Sequence, residues 1–193
     1  MSKASTEIPR DPRPKRYLDM GTHAAYLFET GSEKQVKLFS LTREIVDGRH
    51  SSLLYIAGKQ GVKGIRLSLK DIGFDVAFFE RNKQLRIVDS EEFFTAIGKQ
   101  QIFKPTSELH SQLTSKLEEA ISSGFSYLSV ISETDMLVRK GFLARYREFD
   151  DFLAKSIRDL KCCFVCAFDR RELAAAGVSD ATQEISSIHS LML

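Results

Sequence analysis

The chain has 193 residues, 42% of them hydrophobic and 28% charged, with a formal net charge of +2. That balance suits one globular domain with a sizeable core and excludes disorder as the main state. No apolar run approaches the ~18 residues that cross a bilayer, the start MSKASTEIPRDPRPKR lacks the apolar stretch of a secretory signal, and three cysteines, two adjacent, do not make a disulfide framework, so the expected setting is cytoplasmic.

Residues 1–22 read as a flexible basic arm. Its first 16 residues hold Lys3, Arg10, Arg13, Lys15 and Arg16 against Glu7 and Asp11, and they include Pro9, Pro12 and Pro14. The rest of the chain is close to neutral. A nucleic-acid binder shows a clustered basic surface, so nucleic acid is not an expected partner except through this arm.

From residue 23 the pattern is one domain in which strands and helices alternate. Ala24–Phe28 is a compact apolar run, expected as a strand, and Ser32 is the expected N-cap of a helix over 33–47 that stops at Gly48. Ser52–Ile56 is the second strand. A helix over Val62–Ile72 follows, stopped by Gly73, then strands at Val76–Phe79 and Leu85–Val88. Leu109, Leu113, Leu117 and Ile121 recur every four positions and predict a helix over 107–123. Tyr127–Ile131 is the next strand. Phe142, Tyr146, Phe149, Leu153, Ile157 and Leu160 place one apolar side on a helix over 142–160. Cys162–Phe168 is continuously apolar, as a strand covered on both faces should be. Helices at 170–176 and 181–190 end the chain.

The alternation predicts a mostly parallel sheet with helices on both faces, in three layers. Ligands of such sheets sit beyond the carboxyl ends of the strands, which points to loops 29–34, 57–61, 132–136 and 169–172. In the first of these, Gly31-Ser32-Glu33-Lys34-Gln35 has the placement of a phosphate-binding loop without its chemistry. Glu33 stands where the last wrapping glycine belongs, its carboxylate at the helix end that suits an anion. Gln35 stands where a Ser or Thr would bind magnesium, and only Lys34 fits. Ala57 and Ser132 follow strands where an ATPase needs acids. The glycines at 58, 61 and 64 match neither nucleotide fingerprint. Cys162, Cys163 and Cys166 read as packed small hydrophobes, because in a strand Cys163 and Cys166 face opposite sides and zinc needs four ligands. No metal or cofactor is read from the sequence. Phe78, Phe79, Phe93, Phe94 and Phe103 read mainly as core, with a surplus available for a ligand pocket or an exposed patch.

Several spaced pieces together resemble the MEDS domain, the methanogen/methylotroph and DcmR sensory domain. His23-Ala24-Ala25-Tyr26-Leu27 resembles its His-plus-strand start, and Leu53-Leu54-Tyr55-Ile56 its second strand. Gly73-Phe74-Asp75 with Gln84-Leu85-Arg86-Ile87 resembles its G-x-D…G-x-L step, and Leu128–Glu133 its R-V-x-G-E-M-x-W segment. Glu148, Cys166-Ala167-Phe168-Asp169 and His189 resemble its helix carboxylate, C-x-Y-D and terminal H-P. The departures are Ser132 for a glycine, Ser190 for the proline and the lack of any Trp. The resemblance implies a RecA/KaiC-like core without a working phosphate loop, and a sensory or regulatory role. It implies ligand contacts at His23, Glu133, Glu148, Cys166, Asp169 and His189. The partner is then a small molecule or a signalling protein; self-assembly follows only by analogy. The competing readings are a RecA/KaiC-type ATPase that uses Lys34, and a structural subunit that assembles through its aromatic centre.

Overall fold

The computed structural model describes residues 18–48, 50–96, 102–178 and 181–193. The flexible arm expected over the first 22 residues falls largely outside these. Its last residues are folded: Leu18 is buried, and the Gly21 amide donates to the Cys162 carbonyl at 2.7 Å. The body therefore begins before the expected boundary at residue 23.

Six strands form one all-parallel sheet: β1 (His23–Phe28), β2 (Ser51–Ala57), β3 (Leu85–Asp89), β6 (Tyr127–Glu133), β7 (Cys162–Asp169) and β8 (Leu191–Met192), in the order β3-β2-β6-β7-β1-β8. A small antiparallel pair, β4 (Thr95–Ala96) and β5 (Ile102–Phe103), stands apart. Strands β1, β2 and β7 are buried along their whole length. This is why they read as unbroken apolar runs: helices cover both faces. The period of two divides each strand between two cores. Ala24, Tyr26, Phe28, Leu53, Tyr55 and Cys163 face α1 (Gly31–Asp47) and α2 (Gly61–Asp71). Ala25, Leu27, Leu54, Phe164, Cys166 and Phe168 face α5 (Thr106–Ser122) and α7 (Leu143–Ser156). Cys163 and Cys166 thus lie on opposite faces, as the alternation predicts.

Three expectations are corrected. The N-cap of α1 is Thr30, not Ser32. Thr30 and Glu33 have the spacing of a capping box, but only its first half forms: Thr30 Oγ1 accepts from the Glu33 amide at 3.1 Å, while the Glu33 carboxylate reaches one residue further back, to the Glu29 amide at 2.9 Å. The apolar run at Val76–Phe79 is a helix, α3 (Val76–Arg81), not a strand. Asp75 caps it by accepting from the Phe78 amide at 3.0 Å, and Phe79 stacks on Phe74. A short apolar run carries no period of its own, so the cap decides its state. The last helix, α9 (Ala181–Ile188), stops early, and the chain continues as β8 beside β1, with Ala24 opposite Leu191.

The segments α4 (Ser90–Phe94), α6 (Asp135–Arg139) and α8 (Arg170–Ala175) complete the layers. Of the central phenylalanines, Phe93, Phe94 and Phe103 are core, while Phe78 is 48% exposed. Phe94 is fully buried and meets Phe93, Phe103, Tyr146 and Phe149. Phe94→Ala is expected to destabilise by about 3–5 kcal/mol, whereas Val36→Ala, at a position 74% exposed, stays within about 0.5 kcal/mol. Urea unfolding of the two variants beside the parent checks the contrast.

Candidate functional site

The loops after β1 and β2 turn toward α1 and α2, and those after β6 and β7 turn toward the opposite face. The crevice between such diverging loops is where parallel sheets take ligands. Here it is a cleft of ≈ 580 Å³, with Lys34, Lys59, Asp135, Asp169 and Arg171 among its walls.

The floor of the cleft is a buried ion pair. Lys34 projects from the first turn of α1, and its Nζ lies 2.9 Å from Glu133 Oε2 at the end of β6, the two side chains being 11% and 1% exposed. Tyr55 on β2 donates its hydroxyl to Glu133 Oε1 at 2.7 Å, and the Gly58 amide donates to Oε2 at 3.2 Å. Both carboxylate oxygens are thereby occupied. Burial, followed by the charge of Glu133, pushes the Tyr55 hydroxyl well above its ordinary pKa, so it remains a donor. Gly58 has no space for a side chain: a Cβ there would stand 1.9 Å from Asp135 Oδ1. Asp135 in turn accepts from the Lys59 amide at 3.2 Å. On the far wall Asp169 caps α8 through the Arg171 amide at 2.9 Å. Burial would raise its pKa, but the hydrogen bonds and charge of Arg171 outweigh that and hold it below the usual carboxylate range.

A second polar group lies inside the other core. His23 opens β1, Asp150 comes from α7, Cys166 from the middle of β7 and His189 from the turn after α9, and all four are buried. His23 Nε2 donates to Asp150 Oδ1 at 3.0 Å. The Cys166 thiol donates to the same oxygen at 3.3 Å and accepts from the Tyr146 hydroxyl at 3.1 Å. His189 Nε2 stands 3.4 Å from Asp150 Oδ2, and the two imidazoles lie 4.2 Å apart. Burial drives the Cys166 and Tyr146 pKa values well up and that of His189 down, so each of these three favours its neutral form. Cys162 and Cys163 are pushed up to about 12 by burial and are inert thiols.

Of the expected ligand contacts, the fold therefore brings His23, Cys166 and His189 together. Asp169 lines the cleft at the carboxyl ends of the strands, and Glu133 lies buried behind Lys34, which lines it. Glu148 joins neither group: it is exposed and paired with Arg145 at 3.1 Å, one turn away on the same helix. The inward carboxylate of α7 is Asp150, which sequence reasoning missed. Its signal was present, since Asp150 falls on the stripe of Tyr146, Phe149 and Leu153, where a carboxylate must find a buried partner. In the expected phosphate loop, Gly31 and Gln35 line the cleft, Ser32 is exposed, Glu33 closes the helix end, and Lys34 is committed to Glu133.

A six-stranded parallel sheet covered by helices on both faces defines the class, a three-layer α/β domain. The family profile described as MEDS, the MEthanogen/methylotroph, DcmR Sensory domain, matches residues 22–184, and the chain belongs to that family. No curated protein matches the chain. Among the described residues, no helix is long and apolar enough to cross a membrane.

Removing one partner of a buried ion pair strands the other charge. Lys34→Met is expected to cost about 3–5 kcal/mol for that reason, and adding Glu133→Gln should recover part of the loss, because the amide oxygen still accepts from Tyr55. A double-mutant cycle in urea checks the coupling.

Proposed function

We propose that the chain is a non-catalytic sensory domain that takes a small polar molecule in the cleft over the carboxyl ends of β1, β2, β6 and β7. One observation carries the reading: Lys34, the one residue of Gly31–Gln35 that suits a phosphate loop, has its charge spent on the buried Glu133, which Tyr55 and the Gly58 amide also hold. To bind a triphosphate, this lysine would have to leave a carboxylate stranded in the core. The Glu33 carboxylate also closes the helix end where phosphate would dock. In this reading the core is RecA/KaiC-like with a degenerate phosphate loop, and no hydrolysis takes place.

The family is sensory, which supports an input site without chemistry. The cleft has the volume of a small-molecule site. Lys59, Asp135, Asp169, Arg171 and Glu172 all line it, so a ligand carrying both a donor and an acidic group would meet partners of both signs there. The output runs through the far wall. α8 packs on α9, and α9 packs on α7 and β1. A shift of α8 is thus transmitted to the edge strand β8, where a partner or a second copy would meet the sheet.

Thermal unfolding tests both halves. Millimolar Mg-ATP is expected to leave the midpoint of the parent chain unchanged. A ligand found by screening polar metabolites, at ~100 times its Kd, adds about 2.7 kcal/mol and should raise the midpoint by roughly 5–10 °C. Lys59→Ala should reduce that shift. An Mg-ATP shift that disappears in Lys34→Ala would overturn the reading and make the protein a nucleotide switch.

A further inference from the structure

The cleft does not involve the second polar group. His23, Asp150, Cys166 and His189 face the opposite core, come from four separate segments, and place one nitrogen, oxygen or sulfur ligand atom each within 4.8 Å of one another. Around a tetrahedral zinc-class ion, with metal–nitrogen bonds near 2.0 Å and metal–sulfur bonds near 2.3 Å, ligand atoms stand about 3.3–3.8 Å apart. The separations here are 3.0 Å for His23 Nε2 to Asp150 Oδ1, 3.3 Å for Cys166 Sγ to that oxygen, 3.6 Å for Sγ to His23 Nε2, and 3.4 Å for His189 Nε2 to Asp150 Oδ2. The three among His23, Asp150 Oδ1 and Cys166 lie close to the tetrahedral edge, His189 approaches from the side of the other carboxylate oxygen, and all four ligand atoms stay within 4.8 Å, so side-chain adjustments admit an ion.

Hydrogen-bond accounting points the same way. His189 Nδ1 lies 2.8 Å from the Ile185 carbonyl, which only accepts, so Nδ1 carries the proton. The other nitrogen, Nε2, is then a lone pair that is fully buried, has no hydrogen-bond partner, and faces a carboxylate oxygen. Two acceptors face to face inside a core lack a positive centre between them. A ring whose far N–H donates to a backbone carbonyl while its near nitrogen stays open has the arrangement of a metal-ligating histidine. His23 Nδ1 has no partner either, so its ring can carry its proton there and turn Nε2 to a metal.

We infer that His23, Asp150, Cys166 and His189 form a closed four-ligand site for a divalent transition metal of the zinc class. The ion would take the place of the thiol proton, which is released, and of the His23 Nε2 proton, which moves to Nδ1. A doubly charged ion with one carboxylate, one thiolate and two neutral imidazoles has no net charge, the condition under which ions are tolerated in a core. Four protein ligands leave no open position, which marks a structural or sensing metal rather than a catalytic one. The site would fasten the turn that leads into β8 to β1 and α7, so the metal would set whether the edge strand is docked.

The test is cobalt(II) chloride titrated into the chelator-stripped 193-residue chain, followed by visible absorption and metal analysis. The expected result is one equivalent per chain, tetrahedral ligand-field bands, a thiolate-to-cobalt charge-transfer band, and loss of all three signals on adding zinc. Cys166→Ser should lose the charge-transfer band. His189→Ala should weaken binding by more than the ~10–100-fold typical of losing an outer-shell partner. Far-UV circular dichroism of each variant verifies its fold, and the cleft variant Lys59→Ala should bind cobalt as the parent does. A parent chain that binds well under one equivalent, or a charge-transfer band that survives Cys166→Ser, would overturn the site.

Discussion

A carboxylate inside a sheet covered on both sides has no water to solvate it, and Glu133 is that carboxylate. It ends β6 at the middle of the sheet, and its two oxygens must be satisfied by whatever the neighbouring elements bring. Lys34 therefore cannot swing freely from α1, Tyr55 must hold its hydroxyl toward β6, and the chain after β2 must pass close enough for the Gly58 amide to donate. The last demand removes any side chain at position 58, because Asp135 and Glu133 occupy the space. One buried charge thus sets the first turn of α1, the exit of β2 and the entry to α6. The cleft above has its floor because of it.

This same constraint separates the chain from the nucleotide-binding loops that its strand–loop–helix opening resembles. Such a loop keeps its helix N-terminus open and its lysine mobile, since phosphate must supply the negative charge. Here both roles are filled from within. Glu33 satisfies the amide of Glu29, the residue before the Thr30 cap, and Glu133 neutralises Lys34. The helix end and its lysine are thereby held by the chain's own carboxylates.

Much of the fold was legible because an all-parallel sheet writes itself as apolar runs between helical stripes. Leu109, Leu113 and Leu117 fixed the buried side of α5, and the runs at residues 24–28, 52–56 and 162–168 fall within strands. What escaped was short. Residues 76–79 had too few positions to show a period, and β8 pairs through two residues whose partner lies on β1, far away in sequence. The sites were legible by residue type and not by grouping. His23, Cys166 and His189 were visible singly, but only the return of α9 along β1 brings the last histidine to the first. Asp150 was hidden behind its neighbour Glu148, although the two differ in the physical respect that matters: position 150 continues the buried stripe of Tyr146 and Phe149, and position 148 points to water and Arg145.

Strand β7 belongs to both polar groups, and this gives the molecule a way to connect them. Cys166 turns its thiol toward Asp150 and His23 in one core. One residue on, the Ala167 carbonyl accepts from both the amide and the hydroxyl of Thr134, the residue that follows Glu133. Asp169, three residues after Cys166, closes the strand and caps α8 at the cleft wall. Parallel strands buried on both faces resist local slippage, because a shift of one residue would exchange the two cores. A change at one group would therefore reach the other through displacement of the strand end, not through a change of register. α9 and its two-residue strand are attached to β1 through Ser190, whose amide and hydroxyl donate to the His23 carbonyl and whose hydroxyl accepts from the His23 amide. The histidine that anchors this element to the sheet by its backbone also carries one of the four buried ligand atoms. An ion bound in that core would therefore act on the docking of the edge through this one residue.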